Sequence, residues 1–232
     1  MNNYHAVLFD AGNTLWRWDT INPWVEGLAS QGINRSVDEI RAAEEATRKV
    51  FQPQWDHFDP SGRPTDPATL KRFWLAFNEY KLRLLRIGER AERLAHAAET
   101  IWFERAVHLY PETGAVLEAL KAAGYLMAIV SNGSDQQRLA RHLGIDGFFA
   151  TIIGSSHVGF KKPHPRIYQL ALSRLGVGPH HVLMVGDDVE ADVLGPERLG
   201  ITGIHLVRDG AASSHPRAVS NLQGLIELLA AA

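Results

Sequence analysis

Cysteine is absent from the 232 residues, so disulfide bonds, thiolate catalysis and zinc sites built on cysteine are excluded. No apolar run approaches the roughly 18 residues that a membrane-spanning helix requires. The first residues contain no basic segment followed by an apolar one, so no signal peptide is predicted. The formal net charge is −2, and neither a nucleic acid nor a membrane surface is an expected partner. We therefore expect a cytoplasmic protein, and the sequence leaves its oligomeric state, monomer or dimer, open.

Five short apolar runs are present, and each is unbroken, as in strands that are buried on both faces. They lie at residues 7–9, 126–130, 151–153, 182–185 and 204–207. Segments of helical periodicity follow the last four runs, at residues 134–143, 165–175, 190–199 and about 221–230. Strands that alternate with helices predict an α/β protein, with a parallel sheet in a three-layer, Rossmann-like core.

Residues 16–106 interrupt this alternation, because they show helical patterns and no convincing strand. The patterns predict helices at residues 37–50, 68–85 and 90–104, and a loop at residues 52–67. One apolar stripe recurs at spacings of three and four residues, through Leu70, Phe73, Trp74, Phe77 and Tyr80. We therefore predict a helical domain at residues 16–106, inserted into a core formed by residues 1–15 and 107–232.

Asp10 directly follows the first apolar run and precedes the polar segment Ala11-Gly12-Asn13-Thr14. Ligands bind at the carboxyl ends of strands in open α/β sheets, and a carboxylate there can act as a nucleophile. Aspartate, glycine and asparagine also form turns, so Asp10 alone fits a turn cap equally well. The functional interpretation depends on the residues at the ends of the other predicted strands.

Three further sets of polar residues lie at or just after predicted strands. They are Ser131-Asn132-Gly133, Lys162-Pro163, and Gly186-Asp187-Asp188 with Asp192. Together with Asp10 they supply a nucleophile, a hydroxyl, a fixed cation and a cluster of carboxylates. Phosphoryl transfer requires such a set, because its catalysis consists mostly of positioning and of neutralising charge on phosphoryl oxygens. Mg²⁺ is usually held by one or two carboxylates, waters and the substrate phosphate.

In order and spacing, these four sets resemble the motifs of the haloacid dehalogenase (HAD) superfamily of hydrolases, and the resemblance covers the whole chain. The predicted helical insertion is similar to the cap domain of that family's first structural class. The resemblance implies a nucleophile at Asp10, with Ser131 and Lys162 holding the transferring group. It also implies a bound Mg²⁺, for which the implied ligands are Asp10, the Gly12 carbonyl, Asp187 and, through water or a neighbouring ligand, Asp192. Asp188 is an alternative in either acidic position.

The resemblance extends to the expected contacts with a small phosphorylated substrate. Thr14 matches the threonine of the first motif, and Asn132 and Gly133 accompany the phosphate-binding hydroxyl. Arg17 follows the first motif, where its guanidinium could meet a carboxylate or phosphate bidentately.

Gly12 departs from the family pattern, because phosphatases of the family usually carry a second aspartate at this position. That aspartate protonates the leaving group and later activates water, a contribution typically worth about 10²–10⁴-fold in rate. Three explanations remain open. Turnover is slow or uses a good leaving group, a residue of the inserted domain such as His57 supplies the proton, or the reaction needs no protonated leaving group.

The favoured reaction is hydrolysis of a small phosphate monoester, with three alternatives. A 2-haloacid dehalogenase fits Gly12 and Ser131-Asn132-Gly133, but halide displacement needs no metal and the acidic pair argues against it. A phosphonatase needs a Schiff-base lysine from the inserted domain, where Lys49, Lys71 and Lys81 occupy positions typical of solvated helix faces. A degenerate member would bind phosphate or a partner protein without turnover.

Overall fold

The computed structural model describes residues 3–57, 66–98, 103–133, 135–208, 210, 212–213 and 215–231. The chain divides into two compact units. Residues Met1–Arg17 and Leu109–Ala232 form the first, called the sheet unit here, and residues Trp18–His108 form the second, called the helical unit. Among the described residues, no helix is both long enough and apolar enough to span a membrane.

Eight strands are described. They are β1 (Ala6–Phe9), β2 (Trp16–Trp18), β3 (Val107–Leu109), β4 (Leu126–Ser131), β5 (Thr151–Gly154), β6 (Val182–Gly186), β7 (Thr202–Leu206) and β8 (Ala218–Val219). Six of them form one parallel sheet in the order β5-β4-β1-β6-β7-β8, with helices on both sides. The predicted α/β fold is confirmed.

The helices of the sheet unit lie between these strands, except for the last helix, which follows β8. They are α6 (Thr113–Ala122), α7 (Gln136–His142), α8 (Ser155–Val158), α9 (Pro165–Leu175), α10 (Gly195–Glu197) and α11 (Gln223–Ala231). A π-helical segment, Val189–Leu194, precedes α10. The predicted helix at residues 190–199 is therefore a π turn followed by a short α-helix, which begins at Gly195 and Pro196.

The central strand β1 positions the site. All four of its side chains are buried, as the unbroken apolar run predicted. Its neighbours are β4 on one side and β6 on the other, so the strand order reverses at β1. In parallel sheets such a reversal opens a crevice at the carboxyl ends of the strands, and Asp10 lies at this point.

The helical unit contains α1 (Asn22–Ala29), α2 (Val37–His57), α3 (Pro67–Leu84), α4 (Ala91–Ala97) and α5 (Phe103–Arg105). The predicted loop at residues 52–67 is wrong for its first six residues, because α2 continues through Pro53 to His57. Packing explains the difference, since the Phe51 ring contacts the rings of Phe73, Phe77 and Tyr80 on α3. Residues 58–65 of that predicted loop lie outside the described part of the chain.

Two further expectations for residues 16–106 are wrong. The three-residue strand β2 begins at Trp16, and it pairs with β3 in a two-stranded sheet. Lys81 is not on a solvated face but is buried, with its Nζ 2.7 Å from Glu44 Oε2 and 3.4 Å from the centroid of the Trp24 ring. A lysine side chain combines an apolar stem, which can be buried, with a charged amine, which usually is not. Periodicity alone therefore does not show whether a lysine is buried.

Candidate active site

The side chain of Lys162 joins two of the predicted acidic residues. Its Nζ lies 2.6 Å from Asp10 Oδ1 and 2.6 Å from Asp192 Oδ1. All three groups are buried, with exposed fractions of 8% for Asp10, 4% for Lys162 and 1% for Asp192. One buried cation therefore lies between two carboxylates, and each pairing is a short charge-assisted hydrogen bond.

Asn132 holds the backbone of Lys162 from the end of β4. Its Nδ2 donates to the Lys162 carbonyl at 3.0 Å, and its Oδ1 accepts from the Lys162 amide at 2.8 Å. The cis peptide bond to Pro163 and the start of α9 come directly after it. Both ends of the Asn132 amide are thus used to place the lysine, and its contact with a substrate stays a prediction.

The π-helical segment directs Asp192 into this group. Asp188 caps the segment by accepting a hydrogen bond from the Ala191 amide at 2.8 Å, and its own amide donates to Asp192 Oδ2 at 3.1 Å. Glycine is required at position 186, because a Cβ there would lie 2.1 Å from Asp192 Oδ2. Of the two acids considered for the later position, Asp192 faces Lys162 while Asp188 caps a helix.

Asp187 completes the acidic cluster from the end of β6. Its Oδ2 accepts a hydrogen bond from Asn13 Nδ2 at 3.1 Å, and its backbone carbonyl lies 3.2 Å from His205 Nε2. Carboxylate oxygens of Asp10, Asp187 and Asp192 all lie within 4.8 Å of one another. The sequence predicted these three residues as metal ligands, and the structure brings them together.

The electrostatics of the cluster favour a bound cation. Burial raises the pKa of Asp192 although Lys162 opposes the rise, and burial with the Asp10 charge raises the pKa of Asp187 against the Asn13 hydrogen bond. The two carboxylates beside Lys162 outweigh its burial and raise its pKa, so the lysine stays charged. Three carboxylates nevertheless face one cation, and hard oxygen donors at this spacing fit Mg²⁺.

Ser131 ends β4 beside β1, where its buried Oγ accepts a hydrogen bond from Gln136 Nε2 at 3.3 Å. Gly133 allows this contact, because a Cβ there would lie 2.6 Å from Gln136 Nε2. Thr14 Oγ1 is buried and has no hydrogen-bond partner among the described residues. A buried hydroxyl without a hydrogen-bond partner is uncommon, and it is consistent with a group that binds a ligand or water.

Two other predicted residues are less constrained by the structure. Gly12 is partly buried and forms an isolated bridge with Trp16. Arg17 is exposed in β2. The predicted metal contact of the Gly12 carbonyl and the predicted substrate contact of Arg17 stay predictions. The His57 side chain lies outside the described part of the structure.

Sequence reasoning missed Arg208, which contacts the segment after Asp10, and Glu112, which pairs with Arg208. Arg208 Nη1 lies 2.8 Å from Glu112 Oε1, while its Nε and Nη2 donate to the carbonyls of Asn13 and Thr14. A usable signal was present, since Arg208 directly follows the last apolar run. The rule that drew attention to Asp10 applies equally to that position.

Comparison with known proteins shows similarity to hydrolases along most of the chain. A family model described as haloacid dehalogenase-like hydrolase matches residues 4–200. The (S)-2-haloacid dehalogenase 4A of Burkholderia cepacia is 27% identical over 90% of this chain and 86% of its own length. The glyceraldehyde 3-phosphate phosphatase of Methanopyrus kandleri is 31% identical over 91% of this chain and 88% of its own length.

Solved structures show the same architecture. The crystal structure of a HAD phosphatase from Thermococcus onnurineus superposes with a TM-score of 0.65, at 24% identity and over 97% of each chain. At that identity the likeness concerns the fold. The relatives therefore include a dehalogenase and a phosphatase, and the choice between these reactions has to come from the residues of the site.

Proposed function

The chain belongs to the haloacid dehalogenase-like hydrolases, and from that premise we propose that it is a Mg²⁺-dependent phosphatase that cleaves a small phosphate monoester through Asp10. One observation carries the proposal: carboxylate oxygens of Asp10, Asp187 and Asp192 lie within 4.8 Å of one another. Asp192 pairs with Lys162 and would serve either reaction. Halide displacement at Asp10 needs no metal, however, and the Asp187 carboxylate would repel the carboxylate of a haloacid. A phosphatase uses the cluster to hold the cation that its anionic substrate requires.

The proposed metal ligands are Asp10, the Gly12 carbonyl and Asp187, with Asp192 contributing from its buried position. Bound Mg²⁺ would offset the negative charge of the phosphoryl group and of the carboxylate that faces it. The residues of the chain do the rest. Lys162 keeps its positive charge and stabilises the negative charge of the transferring phosphoryl group. The Ser131 hydroxyl donates a hydrogen bond to a phosphoryl oxygen.

The proposed reaction has two steps. A carboxylate oxygen of Asp10 attacks phosphorus, forming an aspartyl phosphate as the bond to the leaving oxygen breaks. Water then attacks the phosphorus of that intermediate, which releases phosphate and restores Asp10. The buried Lys162 bonds Asp10 Oδ1 at 2.6 Å and thereby fixes the orientation of the carboxylate for the first step.

Gly12 restricts the substrate class. No side chain at this position can protonate the leaving oxygen, so the first step favours substrates whose leaving group departs as a stable anion. Aryl phosphates and acyl phosphates have this property, and simple alkyl phosphates do not. We further propose that the helical unit acts as a substrate-selecting cap, to which Arg17 contributes a contact with an anionic part of the substrate.

A 2-haloacid dehalogenase is the second candidate. It is favoured by the similarity to the Burkholderia cepacia enzyme over 90% of the chain and by Gly12, since a halide leaves without a proton. The carboxylate cluster argues against it, because halide displacement needs no metal and the Asp187 carboxylate beside Asp10 would repel a haloacid carboxylate.

A substrate panel tests the proposal. Wild-type protein and Asp10→Asn are assayed with Mg²⁺ and with EDTA on p-nitrophenyl phosphate, small sugar phosphates and 2-chloropropionate. We expect phosphate release that requires Mg²⁺ and that falls on the order of 10³-fold or more in Asp10→Asn. Halide release that is insensitive to EDTA would support the dehalogenase instead. Absence of both activities would support a degenerate binding protein.

A further inference from the structure

We propose that Arg208 is a positioning residue that fixes the segment after the nucleophile, residues 11–16, and through it the carboxylate of Asp187. This inference rests on the proposed function for its catalytic consequence. The contacts themselves lie within the sheet unit and do not depend on it.

The guanidinium of Arg208 binds two successive carbonyls of the segment. Its Nε donates to the Asn13 carbonyl at 3.0 Å, and its Nη2 donates to the Thr14 carbonyl at 2.8 Å. A planar guanidinium presents its donors in a fixed fork, so two carbonyls bound at once fix both position and orientation. The next carbonyl, that of Leu15, accepts from Thr113 Oγ1 at 2.8 Å, which extends the same anchorage by one residue.

Arg208 is itself held on its other sides. Its Nη1 pairs with Glu112 Oε1 at 2.8 Å, and the guanidinium carbon lies 3.3 Å from the centroid of the Tyr110 ring. Burial raises the pKa of Glu112, but hydrogen bonds from its own amide and from Arg208 hold it below the ordinary value, so the pair is charged at neutral pH. The Arg208 side chain is only 13% exposed. An arginine that is stacked and paired in this way loses little further freedom when it binds the two carbonyls.

The segment held by Arg208 reaches the acidic cluster through Asn13. This residue has a φ of +57°, in the left-handed region, which asparagine adopts more often than most residues other than glycine but still at a cost. Its Nδ2 donates to Asp187 Oδ2 at 3.1 Å. A left-handed residue persists only where its surroundings impose it. The Arg208 bond to the Asn13 carbonyl and the bond from the Asn13 amide to the Trp16 carbonyl, at 2.8 Å, together supply that constraint. They thereby direct the asparagine side chain toward Asp187.

The consequence for function is a defined geometry between Asp10 and Asp187. Asp10 precedes the held segment directly, and Asp187 receives its hydrogen bond from it. Without Arg208 we expect the segment to sample other conformations and Asp187 to lose its fixed orientation. Residues that orient a metal ligand typically affect metal affinity about 10- to 100-fold when they are removed.

Hydrogen exchange tests the positioning claim without reference to activity. The wild type is compared with Arg208→Lys and Arg208→Met, and Arg141→Lys and Arg141→Met are controls at an exposed arginine on α7. We expect the amides of Asn13, Leu15 and Trp16, which are bonded within the segment, to exchange about tenfold or more faster in both Arg208 variants. Amides of β1 should be unchanged, and the Arg141 variants should match the wild type.

Arg208→Lys distinguishes geometry from charge, and it remains informative should Arg208→Met fail to fold. Lysine keeps the charge but concentrates its donors at one point, so it cannot bind both carbonyls and Glu112 as the fork does. Exchange in Arg208→Lys that equals the wild type would overturn the inference, because charge alone would then suffice.

Calorimetric titration with Mg²⁺ alone tests the link to Asp187. We expect the dissociation constant to rise about tenfold or more in both Arg208 variants and to stay unchanged in the Arg141 controls. Wild type that binds no Mg²⁺ and releases no phosphate would refute the proposed function, and the exchange measurement would still decide the positioning claim. Normal Mg²⁺ binding together with unchanged exchange in the variants would refute the inference and leave the proposed function standing.

Discussion

At the scale of single residues, the site is defined by an imbalance of charge and by one missing acid. Lys162 contacts two buried carboxylates at 2.6 Å each, and Asp187 adds a third within the same cluster. A divalent cation would correct the imbalance. The missing acid is at Gly12, where the proposed reaction would use a proton donor for a poor leaving group.

Gly12→Asp should restore that donor. Gly12 is not among the residues with a positive φ, so the backbone there does not require glycine for a left-handed conformation. We expect kcat/KM for an alkyl phosphate to rise on the order of 10²-fold, because a general acid contributes about that much, and kcat/KM for p-nitrophenyl phosphate to change little. Initial rates on both substrates measure the effect.

Gly12→Asn is the matched control, since it has nearly the same size and no transferable proton. An equal gain in Gly12→Asp and Gly12→Asn would contradict the assigned role, because the effect would then come from contacts and not from acid catalysis.

The sequence predicted which acidic residues belong to the candidate site, but not which contact each of them makes. Asp10, Asp187 and Asp192 follow or adjoin buried strands, and strand ends of a parallel sheet converge, so their proximity could be inferred. A π-helical turn determines that Asp192, and not Asp188, faces Lys162. No local sequence pattern predicts such a turn.

At the scale of secondary structure, the strands of the main sheet could be predicted, because burial on both faces requires unbroken apolar runs. β1, β4 and β6 are uninterrupted apolar runs in the sequence, and all lie in the parallel sheet. Helices were less predictable where packing outweighs local preference. Pro53 suggested a break, yet α2 continues past it because Phe51 packs on three rings of α3.

The contact between α2 and α3 also buries an ion pair, Glu44 with Lys81, which should make the stability of the protein depend on pH. Burial lowers the pKa of Lys81 from 10.5 to about 8, against the opposing effect of Glu44. Between these values the unfolded chain holds a proton that the folded chain has released. The free energy of unfolding should therefore rise with pH in this window, by about 3 kcal/mol at most.

Urea unfolding of wild type and Lys81→Met across this window measures the effect, and the rise should be missing from the variant. Lys71→Met removes an exposed lysine from the same helix and should retain the rise. A wild-type curve parallel to that of Lys81→Met would contradict the assigned pKa.

At the scale of the whole molecule, the change of pattern at residues 16–106 indicated an insertion, and the structure divides the chain at residues 17/18 and 108/109. Both boundaries between the two units fall within the short strands β2 and β3. These strands were not predicted, because three residues are too few to show a periodicity. For Arg208 the position after the last apolar run could have marked it as a candidate, but its role could not be predicted. That role depends on residues almost 200 positions earlier in the chain, and only the folded sheet brings them together.

The family and fold follow from the whole chain, whereas the reaction depends on a few residues at one edge of the sheet. A dehalogenase and a phosphatase are both related to the chain over about 90% of its length. The carboxylate cluster favours the phosphatase, and Gly12 favours a substrate that needs no proton donor. The same glycine supplies no general base for the water of the second step, so we expect the aspartyl phosphate to accumulate when the first step is fast.

Trapping that intermediate tests the proposed nucleophile most directly. Wild-type protein turning over p-nitrophenyl phosphate with Mg²⁺ is quenched and treated with borohydride, which reduces an acyl phosphate to an alcohol. Peptide mass spectrometry then locates the modified residue. We expect homoserine in place of aspartate at position 10, only when both substrate and Mg²⁺ are present. Sustained Mg²⁺-dependent phosphate release with Asp10 unmodified would contradict the central claim that this residue is the nucleophile.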